Sequence, residues 1–87
     1  MKFEYDPAKS AANEAKHGIS FDAAQALWDD PWLLEAPART TDEPRFLSVG
    51  RIDGKHWTAV WTPRNGRVRI ISVRRARKEE IGYYGSL

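Results

Sequence analysis

Two tight-turn signals divide the second half of the chain into three strand-like runs, and they constrain the fold more than any other feature. Asp53-Gly54 is a two-residue hairpin signal, and Pro63-Arg64-Asn65-Gly66 is a second turn. The runs that they separate cover residues 45–52, 55–62 and 67–73, and the third is rich in β-branched residues. Strands joined by short hairpins pair with their sequence neighbours, so we predict an antiparallel meander.

Helix signals occupy most of the first half. Asp6-Pro7 combines a capping residue with a proline at the first helical position, and Gly18 suits the end of this helix after His17. Ser20 caps a second helix, which Asp30-Pro31 ends. We expect the first helix to pack closely on the sheet through a stripe of small residues, namely Ala8, Ala11, Ala12 and Ala15.

These elements predict one α+β domain over residues 1–87. Its sheet is a small antiparallel meander of three to four strands, with two N-terminal helices packed on one face and a C-terminal helix over 74–84. Residues 2–5 form a short first strand, and residues 36–44 read as a loop because they are rich in proline, threonine and acids. The other face of the sheet is then partly open to a ligand.

Composition favours an intracellular protein that meets a polyanion. The chain has no cysteine, no signal peptide and no apolar run of membrane length, so we expect a cytoplasmic location and no membrane contact. Residues 1–53 contain six Lys/Arg and ten Asp/Glu, whereas residues 54–87 contain eight Lys/Arg and two Asp/Glu. A basic half on a chain of net charge +2 indicates a directed positive surface, with solvated strand and helix ends as the alternative.

Several common kinds of site are absent from the sequence. It has no GxxxxGK[ST] or GxGxxG loop, no HExxH helix and no nucleophile elbow. Asp22, Asp29 and Asp30 are clustered, but they more simply solvate the end of the second helix than bind a metal ion. We therefore expect no metal and no cofactor.

The remaining candidates are cationic. Strand alternation places Arg67, Arg69, Ile71 and Val73 on one face, and Val68, Ile70, Ser72 and Arg74 on the other. An arginine flanked by apolar neighbours needs a ligand or an ion pair with an N-terminal acid, and Arg69 leaves both interpretations open. Other polar candidates lie on one face of the first helix, namely Lys9, Asn13, Lys16 and His17, and near the third strand, namely Arg64, Arg75, Arg77 and Lys78. Trp57 and Trp61 could stack on bases, but core packing is favoured for both.

Both ends of the chain carry motifs of a known family. Phe3-Glu4-Tyr5-Asp6-Pro7-Ala8-Lys9, Asn13 and Lys16-His17-Gly18-Ile19-Ser20-Phe21 resemble the N-terminal signature of the BrnT toxins. Thr62, Arg64, Arg69-Ile70-Ile71-Ser72, Arg74-Arg75-Ala76, Glu80 and Tyr84 are similar to its C-terminal signature. The resemblance implies a RelE-like fold, a ribonuclease that arrests translation, and a BrnA-type antitoxin that forms a hetero-oligomer and binds operator DNA.

A metal-independent mechanism is implied, in which the 2′-hydroxyl of the RNA attacks the neighbouring phosphate. Arg64, Arg69 and Arg74 take the phosphate and oxyanion roles, and Lys9, Lys16, Arg75 and Arg77 bind flanking RNA. His17 is the first candidate for proton transfer, with Glu80 and Tyr84 as secondary ones, although Glu80 pairing with an arginine is the favoured alternative. Non-catalytic nucleic-acid binding and pure protein interaction remain open, and we expect an antitoxin to cover the arginines.

Overall fold

The computed structural model describes residues 1–39 and 42–85. Its strands are β1 (Phe3–Glu4), β2 (Leu34–Ala38), β3 (Arg45–Ile52), β4 (Lys55–Arg64) and β5 (Arg67–Arg75). Its helices are α1 (Pro7–His17), α2 (Phe21–Ala24), which continues as a 3₁₀ helix over Gln25–Asp29, and α3 (Lys78–Tyr84). None of the helices in the described residues is long and apolar enough to cross a lipid bilayer.

Helix α1 begins and ends where its capping residues predict. The Asp6 carboxylate accepts a 2.8 Å hydrogen bond from the Ala8 amide, and Pro7 occupies the first position. Gly18 adopts the left-handed conformation, with φ of 84°, and its amide donates to the Glu14 carbonyl. Both ends of the helix are therefore satisfied locally, before any tertiary contact forms.

The predicted packing stripe of α1 is wrong. The four alanines are exposed, whereas Ser10 and Asn13 are buried. The Asn13 amide donates to the backbone carbonyls of Ile19 and Val73 and accepts from the Val73 amide, with distances of 2.9 to 3.1 Å. The Ser10 hydroxyl accepts from the Phe21 amide. Polar side chains therefore fasten α1 to the sheet edge and to α2, because unpaired backbone groups there would be costly to bury.

The sheet has five strands in the order β1-β5-β4-β3-β2, and it is mixed. Strands β2 to β5 form the expected antiparallel series, but β1 pairs in parallel with β5, through Phe3 with Val68 and Glu4 with Arg69. The prediction of an antiparallel sheet of three to four strands was therefore too small, and it missed the parallel pair. Most of β2 falls in the predicted loop over 36–44, which was assigned from its proline, threonine and acidic residues. Pro37 is tolerated in β2 because this is an edge strand.

Each of the two tight turns has two residues in the left-handed conformation. Asp53 and Gly54 have φ values of 50° and 80°, and Asn65 and Gly66 have values of 53° and 74°. The second loop is Asn65-Gly66 alone, because β4 extends through Pro63 to Arg64. Strand β5 likewise continues to Arg75, so the final helix begins at Lys78 rather than at Arg74 as predicted.

Helices lie on both faces of the sheet, which differs from the single helical layer expected. The first face packs against α2 and the 3₁₀ helix, and the core there includes Ile19, Phe21, Ala24, Leu27, Trp57, Ala59, Val68, Ile70 and Val73. Trp61 packs against this core, and its indole N–H donates to Ser48, so core packing of both strand tryptophans is confirmed. Helix α3 contacts one end of the opposite face, at Thr58 and Arg74. We call this whole face of β4 and β5, which carries Thr58, Val60, Thr62, Arg69, Ser72 and Arg74, the open face.

Candidate nucleic-acid interface

A β-bulge in β5 brings the key arginines to one face. Val60 pairs with Ser72, whereas the next residue of β4, Trp61, pairs with Ile70, so the register skips Ile71. Because paired residues share a face, Arg69 (opposite Thr62) and Arg74 (opposite Thr58) both lie on the open face. Strict alternation predicted that they lie on opposite faces, and that prediction was wrong because a bulge adds one residue to the count.

Arg74 is held rigidly by a carboxylate from α3. Its two terminal nitrogens donate to the two oxygens of Glu80 at 2.8 and 3.0 Å. The same carboxylate accepts from the Thr58 hydroxyl at 3.0 Å and from the Arg77 amide at 2.7 Å. The hydrogen bonds from Arg74 are the main cause that lowers the pKa of Glu80 to about 2, and those from Arg77 and Thr58 add to it. Glu80 is therefore ionised at neutral pH and paired with an arginine, the alternative that the sequence favoured.

Arg69 makes a comparable contact at the other end of the open face. Its guanidinium donates to Glu4 of β1 at 2.9 Å, and 31% of the arginine side chain is accessible to solvent. The ion pair with an N-terminal acid, which was one of two interpretations, is thus present. Thr58 and Thr62, the cross-strand neighbours of Arg74 and Arg69, are four residues apart, so the arginines stand roughly 13 Å apart along the strands.

The other predicted cations divide between this face and its surroundings. Arg64 pairs with Arg67 beside the second hairpin loop, and both are exposed, which extends the open face towards that loop. Arg75 lies opposite Trp57 on the first face, with its guanidinium carbon 5.4 Å from the ring centroid. Arg77 precedes the first turn of α3 and is exposed. Arg75 is therefore separated from the arginines of the open face.

Lys9, Lys16 and His17 lie together at the edge of β5. They line one pocket with Ser72, and Ser72 also belongs to the open face because it pairs with Val60. The lysines are exposed and the histidine is half-buried. Asn13, which shares their helix face in the sequence, is instead a structural residue whose side chain is fully engaged with backbone groups.

Tyr84 belongs to a separate polar cluster centred on Asp30. The tyrosine hydroxyl donates to Asp30 at 2.7 Å, and the amides of Trp32 and Arg51 also donate to that carboxylate. Burial alone would raise the pKa of Asp30, but these hydrogen bonds outweigh it and lower the pKa. Burial and the same bond to Asp30 raise the pKa of Tyr84, so its phenol stays protonated at neutral pH. From its place in the sequence, Asp30 was expected to end the second helix and to solvate that end.

Trp32 is a further surface feature that sequence reasoning missed. Its side chain is 63% exposed, and it borders a cleft with Asp29, Asp30, Arg51 and Tyr84. Its neighbour Pro31 and its position just after a helix end were the only signals that could have placed it on the surface. The described residues contain no group of three or more histidine, aspartate or glutamate side chains arranged to hold a metal ion.

The fold and these arginines define an α+β domain with an arginine-bearing sheet face, a class of surface that suits polyanions. Residues 5–80 match the family described as the ribonuclease toxin, BrnT, of type II toxin-antitoxin systems. The chain belongs to this family, as its terminal signatures implied. No individual curated protein matches the chain significantly. Members of this family are the ribonuclease toxins of toxin-antitoxin pairs, so this protein has an antitoxin partner and an RNA target.

Proposed function

We propose that this toxin is a RelE-like endoribonuclease that cuts RNA without a metal ion and thereby inhibits translation in the cytoplasm. The observation that carries the proposal is the bulge in β5, which gathers Arg69 and Arg74 on one open face, each fixed by a carboxylate. In such a reaction the RNA supplies its own nucleophile, the 2′-hydroxyl. The protein then has to hold the phosphate in line, neutralise its oxygens and move protons.

The arginine geometry suits phosphate. A guanidinium has five N–H donors, so an arginine held on one side by a carboxylate keeps further donors for a ligand. Glu4 and Glu80 remove the rotational freedom of Arg69 and Arg74, which lowers the entropy lost when RNA binds. Arg74 holds the scissile phosphate, Arg69 holds the next part of the strand, and Arg64 attracts RNA towards the hairpin end of the face.

Proton transfer is assigned to His17 in this proposal. Glu80 is a poor general acid or base because its pKa of about 2 leaves it ionised and weakly basic at neutral pH. Tyr84 is a poor proton-transfer group because its raised pKa keeps the phenol protonated and weakly acidic, and its hydroxyl already donates a hydrogen bond to Asp30. His17 is half-buried and lines a pocket with Ser72, and its imidazole ring has one nitrogen that can donate a proton and one that can accept it. Glu80 is then the residue that positions Arg74, and Tyr84 anchors α3.

The antitoxin of the pair is proposed to be BrnA-type, to form a hetero-oligomer with this chain and to bind operator DNA. An antitoxin that covers the arginines of the open face would block RNA directly, which explains neutralisation without any change in the toxin fold. A complex in which Arg69 and Arg74 remain open to solvent would contradict this part of the proposal.

Two other functions are supported by specific observations. A non-catalytic RNA-binding domain is favoured by the saturation of Glu80, which is not available for chemistry. It predicts salt-dependent binding without cleavage. A protein-interaction role is favoured by the exposed Trp32, since tryptophan is a frequent anchor of interfaces. The toxin must also bind its antitoxin, so this role is compatible with the ribonuclease proposal.

The decisive experiment incubates antitoxin-free protein with end-labelled RNA in excess EDTA and compares Arg69→Ala with the wild type. We expect cleavage by the wild type and a loss of about tenfold or more in the variant, because Arg69 makes a charge-assisted contact with the RNA strand beside the scissile phosphate. Arg39→Ala is the matched control, because it removes one exposed arginine that follows the edge strand β2, which is separated from β5 by two strands. Full activity in Arg69→Ala would remove this residue from the site. If the wild type binds RNA in a salt-dependent way but does not cleave it, even when ribosomes are added, the non-catalytic function is favoured.

A further inference from the structure

A pocket of about 250 Å³ lies between α1 and the bulge of β5. It exists because β1 covers only the start of that sheet edge, pairing with Val68 and Arg69. Beyond these residues α1 replaces a strand, and Asn13 occupies both backbone groups of Val73. Its lining includes Lys9, Ala12, Lys16 and His17 of α1, and Ile71 and Ser72 of β5.

The lining has the chemistry of an anion site with an apolar wall. Lys9 and Lys16 supply two ammonium groups, and Ser72 supplies a hydroxyl. No carboxylate occurs among the described residues that line it. The larger cleft at Trp32 differs, since its two carboxylates, Asp29 and Asp30, outnumber its one arginine, Arg51, and disfavour a phosphate.

Its position relates the pocket to the proposed scissile site. Ser72 precedes Arg74 by two residues on the same side of β5, which corresponds to roughly 6–7 Å along the strand. A single strand of RNA that places one phosphate at Arg74 can therefore place a neighbouring nucleotide at the pocket. His17 lines the same pocket, so a nucleotide bound there lies next to the proposed proton-transfer group.

We propose that this pocket is a subsite for the nucleotide next to the scissile phosphate. Lys9 and Lys16 bind the flanking phosphate of that nucleotide, and its ribose and base lie against the apolar wall formed by Ala12 and Ile71. The inference rests on the ribonuclease function proposed above and extends it to the substrate, which must carry a second phosphate beyond the one that is cut. The enzyme then prefers single-stranded RNA that continues past the cleavage site.

The test scans the phosphates of one short RNA oligonucleotide that the protein cleaves. Neutral methylphosphonate linkages replace the phosphates one at a time, and kcat/KM is measured for the wild type and for the variant Lys9→Gln with Lys16→Gln. In the wild type, replacing one phosphate adjacent to the cut should lower kcat/KM about tenfold, as expected for a charge-assisted contact. In the double variant the unmodified RNA should already be about tenfold worse, and the same replacement should have no further effect.

The matched control is Lys2→Gln with Lys55→Gln, which removes the same total charge from exposed positions outside the pocket. It should keep the wild-type pattern. If the double pocket variant keeps full sensitivity at every phosphate, the subsite is refuted while the ribonuclease function stands. If the wild type does not cleave unmodified RNA at all, even with ribosomes present, both proposals fail together.

Discussion

Replacing Glu80 with glutamine tests whether one carboxylate fixes both Arg74 and α3. A pKa of about 2 in the folded protein, against an ordinary value of 4.5, corresponds to about 3 kcal/mol of stability at about 1.4 kcal/mol per pH unit. This is a large share of the 5–15 kcal/mol that is typical of a folded domain. None of the residues of α3 is buried, so the helix depends on such polar contacts more than on apolar packing.

The sign of the pH dependence follows from the lowered pKa. The contribution is fully present above about pH 4.5, where the carboxylate is ionised in both states, and it is lost as the pH falls towards 2. Glu80→Gln should therefore cost about 2–3 kcal/mol at pH 7, and the difference from the wild type should shrink steadily below pH 4.5.

Urea unfolding followed by tryptophan fluorescence measures this difference at pH 7, 5, 4 and 3. Glu79→Gln is the matched control, because the Glu79 carboxylate is exposed and the substitution removes the same charge from the same turn of α3. The control should change stability by less than about 0.5 kcal/mol. If Glu80→Gln changes the free energy of unfolding at pH 7 by as little as the control does, the ionised carboxylate of Glu80 does not stabilise the fold. A change that stays constant down to pH 3 would contradict the lowered pKa of Glu80.

Three further predictions test the fold by the same unfolding assay. Asn13→Ala should lower the free energy of unfolding by about 2–3 kcal/mol, since it leaves buried backbone groups of Ile19 and Val73 unpaired. Glu14→Ala, on the exposed side of α1, should leave it nearly unchanged. Gly50→Ala should cost about 1–3 kcal/mol, because its Cβ would lie 3.1 Å from side-chain atoms of both Leu27 and Leu33. Gly82→Ala in α3 meets no atom within 4 Å and should stabilise the protein by about 0.5–1 kcal/mol.

Local signals in the sequence predicted much of the fold. The caps of α1, the Asp53-Gly54 loop and the bounds of β3 follow from the chemistry of neighbouring residues, and each is observed. The second loop lies within its predicted turn but is shorter, because Pro63 and Arg64 belong to β4. The burial of Trp57 also follows, because a small domain needs large apolar residues in its core. Contacts between distant residues were harder to predict. The parallel pairing of β1 with β5 joins residues 65 positions apart, and no local pattern specifies it.

The arrangement of the site depended on features that periodicity does not encode. A bulge changes which side chains share a face, and nothing in the run from Val68 to Val73 marks where the extra residue falls. The alanines of α1 look like a packing stripe, but the hydrogen-bonding capacity of Asn13 decided which side of the helix faces the sheet. The sequence identified Arg69, Arg74 and Glu80 as candidates and allowed ion pairs for Arg69 and Glu80, whereas the particular pairs, Arg69 with Glu4 and Arg74 with Glu80, required the structure.

The central claim is that the RNA itself supplies the nucleophile on the open face. The most direct measurement maps the cleavage site in a short RNA and then removes the 2′-hydroxyl of the single nucleotide on the 5′ side of the cut. In excess EDTA, we expect the unmodified RNA to yield a 2′,3′-cyclic phosphate. The 2′-deoxy substrate should be bound with similar affinity but should not be cut. Cleavage of the 2′-deoxy substrate at the same position would contradict the account, because an attacking water molecule would then have to be the nucleophile.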